Sequence, residues 1–132
     1  MSEDPGKGPG FVGWNELMTP NLDESLEFYS KVFGWTFDDW PMPDGMTYKV
    51  AMVDNKPVAG IMPRTPDVPA DAPPMWTAYI NVEDCDATLT TAVEGGATVL
   101  YPATDMEGIG RFAVIQDPHG AVIAFIKYKP NC

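Results

Sequence analysis

Hydrophobic and polar residues follow two patterns in the first third of the chain. The run from Phe11 to Met18 is apolar and aromatic, which predicts a β-strand. The next stretch, LDESLEFYSKVF, has the 3.6-residue period of an amphipathic helix. Asn21 precedes this stretch with Glu24 three positions later, the spacing of a capping box, and Gly34 follows its last residue. The pattern therefore predicts a strand followed by a capped helix.

The same order of elements recurs in the second half of the chain, 63 residues later as counted from Trp14 to Thr77. The run from Met75 to Val82 predicts a strand, Asp84 can cap the helix CDATLTTAVE, and Gly95 with Gly96 ends it. Further strands match between the halves: 48–53 with 111–116, and 58–62 with 122–126. Each half therefore predicts one strand, one helix and three more strands.

A proline-rich segment, 63–74, separates the halves and favours an extended path, because proline lacks the amide donor that a sheet requires. Each half is too small to bury a sufficient core alone, so we predict one α+β domain over 11–130. Its parts are module one at 11–63, the connector at 63–74 and module two at 75–130. The polar, glycine-containing segment 1–10 predicts a disordered tail.

The composition excludes some classes of partner. Eight basic and nineteen acidic residues give a formal charge of −11, which opposes binding to nucleic acid and to anionic membranes. No apolar run approaches the ~20 residues of a membrane span, and the first ten residues lack the apolar core of a secretory signal. We therefore expect a cytoplasmic protein. Cys85 and Cys132 have no motif around them and are interpreted as incidental thiols.

Two motifs and the paired modules carry a family resemblance. The first motif is FYSKVFGW, Phe28 to Trp35, which covers the end of the predicted helix and the two residues after it. The second motif is DPHGAVIAFIK, Asp117 to Lys127, near the end of the sequence. With the repeated strand–helix–three-strand order, the chain resembles the vicinal oxygen chelate superfamily, which includes glyoxalase I, bleomycin-resistance proteins and extradiol dioxygenases. The resemblance implies an α+β fold of two βαβββ modules that form a cupped mixed sheet, and it makes a homodimer an expectation.

The resemblance also implies four positions at which catalytic members bind a divalent ion. Counted from the motifs, these positions are Trp14, Gly60, Thr77 and Ala124. An indole, a hydrogen, a hydroxyl and a methyl group do not hold a hard divalent cation. A shift of one residue would bring in Glu16 or Asn15, but not three or four ligands. We therefore predict no metal and no other cofactor.

Alternation along the strands predicts which residues share the pocket face with those four positions. The predicted ligand-binding set is Trp14, Glu16, Gly60, Met62, Thr77, Tyr79, Asn81 and Ala124, with Arg111 near the rim. It is aromatic and apolar with a few polar groups, as small-molecule sites are. Glu16 is the acid that this counting directs into the cavity, where desolvation would make it a general base or acid.

Three functional hypotheses follow from these residues. The first is a metal-free protein that binds a small hydrophobic or aromatic molecule through Trp14, Tyr79 and Met62. The second is a metal-independent lyase or isomerase in which Glu16 moves a proton on a carbonyl compound; Glu16 could instead be paired for structural reasons with backbone amides or with Arg111. The third is a protein-interaction module whose pocket is filled by its own side chains.

Overall fold

The computed structural model describes residues 8–42, 47–65, 68, 71–106 and 108–129. Its helices and strands are β1 Val12–Thr19, α1 Leu22–Phe33, β2 Thr36–Pro41, β3 Thr47–Val53, β4 Lys56–Pro63, β5 Met75–Asn81, α2 Cys85–Glu94, β6 Thr98–Met106, β7 Gly110–Gln116 and β8 Val122–Tyr128. The chain divides into two compact units. We call Asn15–Trp76 the central unit, and Met1–Trp14 with Thr77–Cys132 the terminal unit.

The element order confirms the predicted α+β fold with two βαβββ modules. In the central unit the strands lie in the order β2-β3-β4-β1, with β1 and β4 parallel and the other pairs antiparallel. In the terminal unit the order is β5-β8-β7-β6, with β5 and β8 parallel. Glu16 lies beside Gly60, and Tyr79 lies beside Ala124, in equivalent registers. These registers confirm the sequence repeat.

Helix α1 begins and ends where its capping residues predict. The Asn21 side chain accepts a hydrogen bond from the Glu24 backbone N–H at 3.1 Å, and Gly34 is left-handed with φ 76°. In a full capping box the Glu24 side chain would accept a hydrogen bond from the Asn21 N–H. Here the Asn21 N–H donates to Thr19 Oγ1 instead, at 3.2 Å. The helix therefore starts through a turn that Thr19 and Asn21 build together.

Helix α2 packs on one face of the terminal sheet. Asp84 caps it by accepting from the Ala87 N–H at 3.0 Å. Its first residue, Cys85, is buried with Ala113, Ile115 and Phe125. We call this side of each sheet the helix face, and the opposite side, which carries Ala124 and Gly60, the pocket face.

Several sequence predictions concern segments that the structure describes only partly. Residues 1–7 of the predicted tail, and Cys132, lie outside the described residues. Residues 8–10 belong to the terminal unit, where the Gly10 N–H donates to the Asn81 carbonyl at 2.7 Å. Strand β4 continues through Pro63, the first residue of the predicted connector. Among the residues described, the two helices are both too short and too polar to cross a membrane.

Candidate functional site

The pocket face of the terminal unit is an aromatic and apolar surface. Tyr79 and Ala124 lie side by side on β5 and β8 and are 9% and 0% exposed. Trp14 packs against this cluster, as do Phe112 and two aliphatic residues. The ring of Phe112 also stacks on Tyr101, with centroids 5.4 Å apart. The structure therefore brings together three of the predicted residues, Trp14, Tyr79 and Ala124.

The other predicted residues of the terminal unit have different environments. Thr77 is half-buried on β5. Asn81 is buried, and its amide donates to the Gly8 carbonyl at 3.3 Å. Arg111 is held by Asp86 and Asp105, with three nitrogen–oxygen distances of 3.0 Å.

The position of Arg111 corrects an expectation from the sequence. Because side chains alternate along β7, Arg111 shares the helix face with Ala113, whereas Phe112 belongs to the pocket face. Its bonds to Asp86, on α2, agree with this placement. Arg111 therefore lies on the helix face of its strand and not at the rim of the predicted pocket.

The pocket face of the central unit carries a polar pair. The Tyr48 hydroxyl donates to Glu16 Oε1 at 2.8 Å. Tyr48 is 8% exposed and Glu16 is half-buried. The Tyr48 hydroxyl is therefore one hydrogen-bond donor to the Glu16 carboxylate, whereas the Arg111 guanidinium donates to Asp86 and Asp105.

The pair depends on the absence of a side chain at Gly60. This residue is paired with Glu16 on one side and Val50 on the other. A Cβ atom at Gly60 would collide with the hydroxyl and ring of Tyr48. The phenol therefore occupies the space above a position at which the family resemblance implied a metal ligand. Met62 is half-buried two residues further along the same strand, opposite Met18.

Sequence analysis missed Tyr48, although its predicted strand was correct. Alternation places Tyr48 on the same face as Val50, but the register that sets Val50 beside Gly60 is not readable from the sequence. A register shift between Ala51 and Met52 adds to this difficulty. The glycine itself was the available signal, since a strand glycine often marks a close approach of another group.

The donor set at the four family positions does not fit a divalent cation. Ala124 is fully buried in an apolar cluster, Tyr48 covers Gly60, and Trp14 packs on Tyr79. Across the part of the chain that the structure describes, no group of three or more histidine, cysteine or acidic side chains is arranged to hold a metal. The residues at these four positions therefore supply no ligand set for a metal ion.

A second concave surface lies on the helix face of the central unit. It is an open groove of about 460 Å³ lined by Asn15, Tyr29, Phe33, Trp35, Val58, Ala59 and Trp76. The Trp76 indole N–H donates to the Tyr29 hydroxyl at 3.1 Å. The rings of Tyr29 and Trp35 are stacked at 5.8 Å. These contacts pack α1 onto its sheet.

Three ionisable groups have environments that change their acidity. Burial raises the pKa of the Cys85 thiol, and the neighbouring Asp86 carboxylate adds to this effect. Backbone N–H groups of Ala121 and His119 donate to Asp117 and lower its pKa. Hydrogen bonds to Asp86 and then Asp105 raise the pKa of Arg111. His119 is exposed in the turn before β8, where its backbone N–H donates to Asp117 Oδ1 at 2.8 Å.

The sequence of the whole domain decides the family. Residues 12–125 match the model of the Glyoxalase/Bleomycin resistance protein/Dioxygenase superfamily. The chain belongs to this superfamily. CFP32 of Mycobacterium bovis, which is named provisionally as a glyoxylase, is 39% identical over 115 residues, covering 86% of this chain and 44% of CFP32. The anthracycline biosynthesis protein DnrV of Streptomyces peucetius is 32% identical over 127 residues, covering 88% of this chain and 46% of DnrV.

The superfamily member described here spans about half the length of these relatives. Solved structures with the same fold include two methylmalonyl-CoA epimerases. The enzyme from Mycobacterium tuberculosis has a TM-score of 0.62 and 18% identity, covering 89% of this chain and 87% of its own. A Streptomyces coelicolor epimerase in complex with 2-nitronate-propionyl-CoA has a TM-score of 0.64 and 15% identity, covering 91% and 98%. At these identities the likeness establishes the fold.

Proposed function

We propose that this protein binds a small hydrophobic or aromatic molecule without a metal ion. The observation that carries the proposal is the aromatic pocket face of the terminal unit, where Trp14, Tyr79 and Phe112 form one surface. Aromatic faces of this kind stack on planar ligands, and each ring pair contributes about 0.5–1.5 kcal/mol beyond the area it buries. The four non-ligating positions described above support a role that needs no cation.

The relatives support the same ligand class. DnrV is named for anthracycline biosynthesis, which makes polycyclic aromatic compounds reasonable ligands to test. The epimerase structures are named for coenzyme A esters and bear on the fold of the binding domain. We therefore place planar aromatic compounds first among the candidate ligands.

Tryptophan fluorescence and calorimetric titration with daunorubicin test this proposal. We expect saturable binding that Trp14→Phe weakens about tenfold, because the indole forms part of the stacking surface. Trp76→Phe is the matched control, since Trp76 lies on the helix face of the central unit. Daunorubicin is cationic and the protein carries a charge of −11, so the titration is repeated in about 0.5 M NaCl. Binding that salt abolishes, or that Trp14→Phe leaves unchanged, would contradict the proposal.

A second candidate function is proton transfer by Glu16 on a carbonyl compound. It is favoured by the 2.8 Å hydrogen bond from Tyr48, which fixes the carboxyl group in one orientation. We expect the protein to catalyse hydrogen–deuterium exchange next to the carbonyl of an aryl ketone in D₂O. Glu16→Gln should lower that rate roughly 10²–10⁴-fold while affinity is retained. Equal rates with the two proteins would exclude this function for that substrate.

We also include a homodimer in the proposal. Phe28 and Val32 lie one turn apart on α1 and are 56% and 52% exposed, so they form an apolar surface that a second copy would cover. Sedimentation equilibrium of the wild type and of Phe28→Ser/Val32→Ser tests this. We expect a dimer and a monomer respectively, and a monomeric wild type would contradict it.

A further inference from the structure

We infer that Tyr101 is a specificity-determining residue of the aromatic surface on the terminal unit, and that it selects ligands of three or more fused rings over smaller ones. This inference rests on the proposed binding function and narrows its ligand class. Every residue that it uses belongs to the terminal unit, which is described by its own contacts.

The first observation is a row of three aromatic rings across the terminal sheet. The centroids of Tyr79 and Phe112 are 6.4 Å apart, and those of Phe112 and Tyr101 are 5.4 Å apart. The three residues lie on β5, β7 and β6, and β6 is the outer strand of this sheet. Because neighbouring strands are about 4.8 Å apart, the row crosses about 14 Å of sheet. A ligand that follows the row must therefore extend over several fused rings.

The second observation is that exposure increases along the row toward the outer strand. Tyr79 is 9% exposed, Phe112 is half-buried and Tyr101 is 39% exposed. Phe112 packs against the buried cluster of Tyr79, Ala124 and Ile126, and Tyr101 is joined to that cluster through its stack on Phe112. The Tyr101 ring therefore leaves more of its surface available to a ligand than the inner rings do.

The third observation is the spacing of the two outer rings, which limits how a ligand can meet them. The rings of Phe112 and Tyr101 are within 16° of parallel, with centroids 5.4 Å apart. A planar molecule between two parallel rings needs about 7 Å, twice the carbon–carbon contact distance of about 3.5 Å. A planar ligand therefore cannot enter between them and must lie along the outside of the row.

This geometry makes ligand length the selected property. A ligand seated on the surface of Trp14, Tyr79 and Phe112 gains contact with Tyr101 only if it extends outward past Phe112. Aromatic pairs attract each other beyond the area that they bury, and one such contact favours binding by about two- to tenfold. Tyr101 therefore favours a longer ligand over a shorter one with the same chemical groups.

A ligand series with a constant core tests the inference by calorimetric titration at pH 7. The probes are 4-pyridone, 4-quinolone and acridone, which keep one ring carbonyl and one ring N–H and add a fused benzene ring at each step. Tyr101→Leu should weaken acridone binding about five- to tenfold and 4-quinolone binding less than about twofold, because leucine keeps an apolar side chain but removes the ring. Tyr101→Phe keeps the ring and should bind both probes as the wild type does.

Two further variants complete the experiment. Val99→Ala is the matched control, because Val99 lies on the same strand, is 38% exposed and pairs with Ile115 of the helix-face cluster. It should leave the affinities for acridone and 4-quinolone unchanged. Tyr101→Met is a second variant without a ring and should repeat the result of Tyr101→Leu, so that the test does not depend on the folding of one protein.

Each alternative result has a definite meaning. If the two ring-free variants lose affinity for acridone and 4-quinolone equally, or lose none, the inference is overturned while the proposed binding function stands. Loss of acridone binding in Tyr101→Phe would also overturn it, since the hydroxyl and not the ring would then carry the preference. If the wild-type protein binds none of the three probes, the binding function fails for this series, and the inference fails with it.

Discussion

The close contact between Tyr48 and Gly60 makes Gly60→Ala a demanding test of the structure. A methyl group at this position would overlap the Tyr48 hydroxyl and ring, so the phenol must move and leave Glu16. Gly60 is not among the described residues with positive φ, so the backbone itself accepts alanine. The expected effect therefore comes from packing and from the lost hydrogen bond.

The magnitude follows from these two contributions. Inserting a methyl group into a packed site costs about 1–3 kcal/mol. Losing a hydrogen bond to a charged group costs about 1.5–3 kcal/mol. Because Glu16 is half-exposed and water replaces part of that bond, we expect Gly60→Ala to lower the free energy of unfolding by about 2–5 kcal/mol.

Urea unfolding, followed by tryptophan fluorescence and circular dichroism, measures this change. Gly95→Ala is the matched control, because a Cβ there meets only ordinary contacts at 3.5 Å and φ is −87°. That control should change stability by less than about 1 kcal/mol, in the stabilising direction. In a Tyr48→Ala background, Gly60→Ala should cost less than about 1 kcal/mol, since the colliding ring is gone. A Gly60→Ala single variant within about 0.5 kcal/mol of wild type would refute the reasoning.

Three further predictions concern other residues. Asp117→Ala should destabilise the protein most above about pH 4, where the carboxyl group of the unfolded chain is ionised, and less as pH falls through the lowered pKa of the folded state. Urea midpoints of the variant and the wild type across pH 2–7 measure this change. A difference between the two proteins that does not vary with pH would contradict the prediction. In a Cys132→Ser protein, the Cys85 thiol should react with iodoacetamide slowly in the folded state and at least about 100-fold faster in urea. The reason is that Cys85 is 3% exposed and its pKa is raised. Equal rates in the two conditions would show that Cys85 is accessible in the folded protein and would contradict the prediction. Asn21→Ala should cost about 1 kcal/mol through loss of the α1 cap, and Asn21→Asp should retain most of that stability; thermal unfolding compares the two.

The sequence predicted elements with strong local signals. Asn21 and Gly34 bound α1, and Asp84 caps α2, because capping depends on side chains close in sequence. The repeat also predicted the order of elements, one strand, one helix and three strands in each half, which the structure has. These features need no knowledge of strand pairing.

The features that the sequence did not predict depend on the register of neighbouring strands and on the face that each side chain occupies. Tyr48 reaches Glu16 across two neighbouring strands, a relation set by sheet register. Arg111 was expected at a pocket rim, but alternation from Phe112 places it on the helix face, where two carboxylates hold it. The positive charge of Arg111 does not by itself indicate which face of β7 its side chain occupies.

The division of strand β1 has a consequence for the order in which the chain is synthesised. The central unit is one continuous segment, Asn15–Trp76, so all of its residues are translated before the part of the terminal unit that begins at Thr77. The terminal unit joins residues before Asn15 to residues after Trp76, and Asn81 exchanges backbone hydrogen bonds with Gly10 and Phe11. Such a distant pairing carries a larger loop-closure cost than a local one, so we expect it to form later. The residues before Asn15 therefore pair with a segment that is translated some seventy residues later. The second half of β1 instead pairs with β4, which lies in the same continuous unit.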